Sequence, residues 1–150
     1  MKVHRSEMVA DGGEGSSPLR VLVVEDNPVN RKILTTMLKR VACRFAEAGD
    51  GNDAVITFNA FHPDLVLLDI NMPIKNGFQA AAEMREIEHA QGRRSARIIA
   101  VTALSGETHR RKGIEASIDL WLVKPVRIKQ LKEEVERMIS GTREEDEEDI

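Results

Sequence analysis

Leu65-Val66-Leu67-Leu68-Asp69-Ile70-Asn71-Met72-Pro73 is an apolar run that ends on a carboxylate. Val21-Leu22-Val23-Val24 does the same and ends on Glu25-Asp26-Asn27. Unbroken apolar runs of this length read as strands buried on both faces. An ionised carboxylate is costly to desolvate unless a cation or a donor compensates it. Two buried strands that each deliver acids at their C-terminal ends therefore point to three carboxylates around a hard cation, one of them reactive.

Outward from these runs the chain alternates strand and helix patterns. Asn27 is placed to cap a helix that starts at Pro28, and Val29, Ile33, Leu34, Met37, Leu38 and Val41 follow the helical period. Residues 43–46 read as a weak strand. Gly49-Asp50-Gly51 is a turn, and Ala54, Val55 and Phe58 mark a short helix that His62-Pro63-Asp64 ends. Asn76-Gly77 opens an Ala-rich helix that closes at Gln91-Gly92. Residues 97–101 are the next strand, 106–113 a polar, weakly helical stretch, and 120–123 the fifth strand. After Lys124-Pro125, Ile128, Leu131, Val135, Met138 and Ile139 share one helical face.

Five strands interleaved with five helices predict an α/β fold, a single doubly wound five-stranded parallel sheet. In the flavodoxin-like order 2-1-3-4-5 the topological switch point lies between strands one and three. Those are the strands that end in Glu25-Asp26 and in Asp69. Thr102 at the end of strand four and Lys124 at the end of strand five fall on the same edge. The set is three carboxylates, one hydroxyl and one ammonium. Oxygen-only ligands suit magnesium, with manganese as an alternative, and the absence of a nearby His or Cys disfavours softer metals. Lys124 alone leaves the acids in excess.

The bulk composition agrees with one domain plus tails in 150 residues. Residues 1–18 read as a flexible segment, 19–140 as the domain and 141–150 as a disordered acidic tail. Much of the negative charge sits in Glu144-Glu145-Asp146-Glu147-Glu148-Asp149, and the formal net charge is only −3. That balance predicts no polyanion partner. Four Phe, one Trp and no Tyr disfavour a stacking platform for single-stranded nucleic acid. Arg93-Arg94 and Arg110-Arg111-Lys112 read as solvated faces. Cys43 is the single cysteine and reads as inert packing. His4, His62, His89 and His109 read as surface residues. Neither a signal peptide nor a membrane-spanning run is visible, so a cytosolic or nuclear location is expected by default, cytoplasmic first and open to being the intracellular part of a larger kinase, with no direct contact to nucleic acid or membrane.

Glu25-Asp26, Asp69, Asn71-Met72-Pro73, Thr102-Ala103 and Lys124-Pro125, in this order and each at a strand end, together resemble the receiver domain of two-component response regulators. The stretch Val23-Val24-Glu25-Asp26-Asn27-Pro28-Val29-Asn30 is most similar to receivers of hybrid histidine kinases. The resemblance implies that Asp69 is the phosphoacceptor, taking a phosphoryl group from a phosphohistidine of a histidine kinase or histidine phosphotransfer protein. It implies that Asp26, Asp69 and the backbone carbonyl of Asn71 ligate magnesium, with Glu25 acting through a bound water. Lys124 would pair with the phosphoryl oxygens and Thr102 would donate its hydroxyl to them. Trp121, three positions before Lys124, would fill the space Thr102 leaves, or else stay as fixed packing. The Lys124–Pro125 bond would be cis. Two departures stand out. Lys75-Asn76-Gly77 replaces a common Met-Asp-Gly, and Leu104 is apolar where it would flank the route of a hydrolytic water, so a changed phosphate lifetime is expected.

Two other classes compete. A haloacid-dehalogenase-like, magnesium-dependent phosphatase also uses an Asp nucleophile, but expects a second Asp where this chain has Asn71. A phosphorylation-independent binding module would not need the intact acid set. The receiver reading makes the chain a phosphoacceptor that promotes its own phosphorylation and dephosphorylation, not a multiple-turnover enzyme on small substrates. It would be either free-standing or part of a hybrid kinase.

Overall fold

The structure, a computed structural model, describes residues 18–41, 43–72, 75–103 and 107–140, with only the backbone at 107–110. The expected tails, Leu104, His4 and His109 lie outside what is described. Ten elements alternate: β1 Leu19–Val24, α1 Pro28–Leu38, β2 Cys43–Ala48, α2 Gly51–Phe61, β3 Leu65–Asp69, α3 Gly77–Gln91, β4 Arg97–Thr102, α4 Glu107–Glu115, β5 Leu120–Val123 and α5 Ile128–Ser140. The strands form one parallel sheet in the order β2-β1-β3-β4-β5. This is the flavodoxin-like order, with β1 beside β3 at the switch point.

The unbroken apolar runs are unbroken because both faces of the sheet are covered. Leu22, Val24, Val66, Leu68, Ile98 and Ala100 face the α2–α3 layer, among Phe58, Ala80 and Met84. Val21, Val23, Leu65, Leu67, Ile99 and Val101 face the other layer, among Leu34, Leu38, Leu131 and Val135. Side chains alternate between these layers along each strand, the period of two that a pleated strand imposes. Burying such side chains contributes roughly 1.5–3 kcal/mol each. The sheet is therefore rigid where its strands end in acids.

Helix starts are set by side-chain caps. Asn27 Oδ1 accepts from Val29 N at 2.9 Å and Asn30 N at 3.0 Å. Asp50 Oδ1 accepts from Asp53 N at 2.8 Å. Asn76 and Gln79 form a reciprocal capping box at 2.9 and 3.0 Å. Gly92 ends α3 at φ +61°, the left-handed cap that favours glycine.

Some readings shift. The weak strand extends to Ala48, because its backbone stays in register with β1 through Val23–Glu47 and Val24–Ala48. The fourth helix begins at Glu107 and runs past Gly113 to Glu115. Val29 and Ile33 keep the helical period of α1 but are 67% and 49% exposed, so its apolar stripe is wider than its buried face. Arg93 lies over the Phe58 ring at 4.9 Å and is not simply solvated, whereas Arg111 and Lys112 are exposed. Cys43 is fully buried, its thiol donates to Leu38 O at 3.6 Å, and burial pushes its pKa up to about 11. Among the described residues, no helix is long and apolar enough to cross a membrane.

Candidate functional site

The C-terminal ends of β1, β3, β4 and β5 converge at one edge of the sheet. Asp69 is the last residue of β3 and is only 5% exposed. Glu25 follows β1 and is 1% exposed, while Asp26 beside it is exposed. One carboxylate oxygen from each of Glu25, Asp26 and Asp69 lies within 4.8 Å of the others. Lys124, just past β5, reaches the same point: Nζ donates to Glu25 Oε1 at 2.8 Å and lies 3.7 Å from Asp69 Oδ1. Its backbone is fixed by Lys124 N donating to Thr102 O at 2.9 Å, and the Lys124–Pro125 bond is cis.

The loop after β3 is held close. Asn71 N donates to Asp69 Oδ1 at 3.2 Å. Gly77 N donates to Ile70 O at 3.0 Å. A Cβ on Gly77 would sit 2.7 Å from Asp69 O and 2.8 Å from Ile70 Cα, so only glycine lets α3 approach this backbone. Lys75 pairs with Glu83 of α3. Thr102 is buried at the end of β4, next in register to Val123 of β5. Trp121, opposite Ala100, is half-buried between two helices. Its ring centroid is 6.0 Å from that of Phe78, and a Cβ on Gly113 would lie 2.4 Å from its Cζ2. The glycine inside α4 is thus the seat of the indole.

The electrostatics favour a divalent cation. Burial pushes the Asp69 pKa up, the charge of Glu25 pushes it further, and it stands at about 7. Burial also raises Glu25, but the Lys124 hydrogen bond, the Asn27 N–H and the hydrogen bond from Asp69 outweigh it and hold Glu25 below its ordinary value. Lys124 loses by burial but gains more from Glu25 and the other acids, and its pKa rises. Without metal, Asp69 is therefore about half protonated near neutrality, while Glu25 stays ionised. A hard cation on this oxygen-only set would displace that proton.

Glu25, Asp26, Asp69, Asn71, Thr102, Lys124 and Pro125 fall at or just past strand ends on this edge, whereas Trp121 lies within β5 and packs between Phe78 and Gly113. Arg31 was carried by no such motif. It donates to Glu25 O at 2.8 Å and to Glu47 Oε1 at 3.2 Å. A cation one turn into a helix that follows two acids is its only trace in the sequence.

Comparisons with known proteins agree with this geometry. The family model of the response regulator receiver domain matches residues 21–136. A hybrid signal transduction histidine kinase of Dictyostelium discoideum is 34% identical over 132 residues, which cover 85% of this chain and 8% of the kinase. This chain thus spans a small part of that relative. The receiver domain of a sensor histidine kinase from Pseudomonas aeruginosa, solved with magnesium in its active-site cleft, is 30% identical with a TM-score of 0.73, over 83% of this chain and 99% of that one. The receiver domain of a Saccharomyces cerevisiae response regulator, solved in complex with a histidine phosphotransfer protein, is 29% identical with a TM-score of 0.71, over 78% and 86%. Sheet order, acid cluster and family match converge: this chain belongs to the response regulator receiver domain family.

Proposed function

We propose that the chain is a phosphorelay receiver in which Asp69 accepts a phosphoryl group from a partner's phosphohistidine and the domain then changes its surface. The observation that carries this reading is the placement of Asp69: a buried carboxylate with two further acids within 4.8 Å and an ammonium at 3.7 Å. An Asp69 carboxylate oxygen attacks phosphorus. The P–O bond forms and the P–N bond breaks, and its electron pair returns to the imidazole nitrogen, which takes up a proton. The product is an acyl phosphate, a labile mixed anhydride suited to a transient signal.

Glu25, Asp26, Asp69 and the Asn71 carbonyl would hold magnesium, with manganese as a substitute. The bound cation supplies neutralisation of the charge that develops on the phosphoryl oxygens. Lys124 already stands between Glu25 and Asp69, so a small shift of its ammonium brings it to the incoming phosphoryl group. Thr102 donates its hydroxyl to the same group. Its movement and that of Trp121 between Phe78 and Gly113 would carry the change to α4. The domain that does this is residues 19–140.

A phosphohistidine must reach Asp69 from outside. Beside Glu25 and Lys124 opens a groove of about 330 Å³ lined also by Ile33, Pro125 and Val126. Its apolar rim suits the flank of a helix that presents the histidine. A histidine kinase or histidine phosphotransfer protein is the partner of that chemistry, as in the complex formed by the yeast relative. The phosphatase alternative lacks its second Asp, since Asn71 stands there.

Incubation with magnesium and either acetyl phosphate or a phosphorylated histidine phosphotransfer protein tests the reading. One phosphoryl group per chain supports it. Continued turnover of small phosphate esters favours the phosphatase, and no response favours a plain binding module. A pH dependence follows as well. Because Asp69 holds a proton up to about pH 7, magnesium must displace it. The apparent Kd for magnesium should rise about tenfold per pH unit below 7 and level off above roughly pH 7.5. Titration followed by the fluorescence of the single Trp121, or by calorimetry, reads this. A Kd that is constant from pH 6 to pH 8 would contradict the proton on Asp69.

A further inference from the structure

The turn between β1 and α1 carries two of the three clustered acids, and it is gripped from the side away from Asp69. Arg31 lies in the first turns of α1, where its own N–H donates to Asn27 O at 2.9 Å. Its side chain folds back. Nη1 donates to the carbonyl of Glu25 at 2.8 Å, and Nε donates to Glu47 Oε1 of β2 at 3.2 Å. That carbonyl belongs to the peptide unit joining Glu25 to Asp26. The same turn is tied at its start by Glu25 N donating to Ala48 O at 3.1 Å, and by Asn27 N donating to Glu25 Oε2 at 3.1 Å. Arg31 and Glu47 are 25% and 20% exposed, so water competes only in part for their contact.

Asp26 is exposed, so packing does not aim its carboxylate. Its direction follows the peptide plane before it, and Arg31 fixes that plane. A guanidinium suits this task because its planar fork can hold a carbonyl and a carboxylate at once. We propose that Arg31 is a positioning residue of the cation site: braced by Glu47, it holds the Glu25–Asp26 peptide so that Asp26 faces Asp69. The inference rests on the reading of Glu25, Asp26 and Asp69 as cation ligands.

The three roles Arg31 could play differ in sign. As a bare positive charge near the acids it repels a cation, so its removal would tighten magnesium binding. As a mere strut between α1 and β2, its removal would lower Tm and leave the magnesium affinity of the folded protein unchanged. As a positioning residue, its removal weakens magnesium binding. Groups that orient metal ligands typically change affinity 10–100-fold when lost.

Magnesium titration by calorimetry on the full chain separates them, alongside Tm in EDTA. Arg31→Met keeps the aliphatic bulk and should raise Kd roughly 10-fold. Arg31→Lys keeps the charge but not the fork, and should fall between, at about 3-fold. A Kd for Arg31→Met equal to or tighter than that of the parent overturns the proposal. Should Arg31→Met fail to fold, Arg31→Lys decides: its charge is unchanged, so a weaker Kd is geometric and supports the proposal, and an unchanged Kd overturns it. A parent chain that binds no magnesium would instead remove the cation-site reading, which is a separate failure.

Discussion

Asp69→Asn is expected to take up no phosphoryl group from a competent donor and, free of metal, to melt at a higher temperature than the parent chain. The first half follows from the loss of the nucleophilic oxygen. The second half follows from the environment of Asp69, and its sign can be worked out. Its pKa stands at about 7 in the fold, against an ordinary 3.8. Between those values the unfolded chain has released the proton and the native chain keeps it. The stabilising contribution of this group is therefore complete below about pH 3.8 and is lost as pH rises to about 7. Asparagine carries no charge at any of these pH values, and its amide can still donate to Glu25. At pH 8 the variant should gain about 1–3 kcal/mol, less than the full shift implies because the site is partly open to solvent. That is roughly 3–10 °C in Tm for a domain of this size. The gain should shrink toward pH 5. Thermal melts in EDTA at both values check it; a variant less stable than the parent at pH 8 would contradict the burden assigned to the buried carboxylate.

Lys124→Ala should separate metal binding from phosphotransfer. Glu25 is almost fully buried, and Lys124 is the one cationic group that donates to it, beside the Asn27 N–H and the hydrogen bond from Asp69. Removing one member of a buried pair costs up to 3–5 kcal/mol, because the other charge stays behind. Lys124 is itself 26% exposed, so about 1–3 kcal/mol is expected here without metal. Magnesium should recover much of that loss, since the cation can take over the neutralisation of Glu25. Its affinity should hold or increase, because a competing ammonium is gone. Phosphorylation should still fall by roughly 10²–10³, since the positive group aimed at the phosphoryl oxygens is missing. Stability with and without magnesium, and the rate of phosphoryl uptake at saturating magnesium, are the readouts. A variant that loses magnesium binding and phosphorylation in parallel would contradict the division of labour.

The fold and the main site residues are legible in the sequence for one physical reason. A parallel sheet covered on both faces turns its strands into plain apolar runs, and a polar residue at the end of such a run is conspicuous. Val21 to Val24 and Leu65 to Leu68 show this, and so do Asp69 and Lys124. The helix caps Asn27, Asp50 and Asn76 are readable because they act within a few residues of themselves.

What is less legible depends on contacts distant in the chain. The edge strand β2 reads as weak because Arg44 and Glu47 interrupt it, and only the fold shows that Glu47 is matched by Arg31. Arg97 opens the fourth strand in the sequence, but only the fold shows that it is 3% exposed and pairs with Glu134 of α5 at 3.2 Å. Gly113 looks like a helix stop until the Trp121 ring is found against it. Val29 and Ile33 obey the period of the core but lie outside it, and Ile33 lines the groove beside Glu25 and Lys124. The period reports only that a face is apolar, and a partner's surface can meet that face as well as the protein's own core can.

The most direct test is intact-protein mass spectrometry of the chain after incubation with magnesium and a phosphorylated histidine phosphotransfer protein, followed by mapping of the modified residue. One added phosphoryl group is expected, located on Asp69, lost on hydroxylamine treatment and absent when magnesium is chelated. An unmodified mass after exposure to a donor that phosphorylates a known receiver in parallel, or a phosphoryl group on any other side chain, would contradict it.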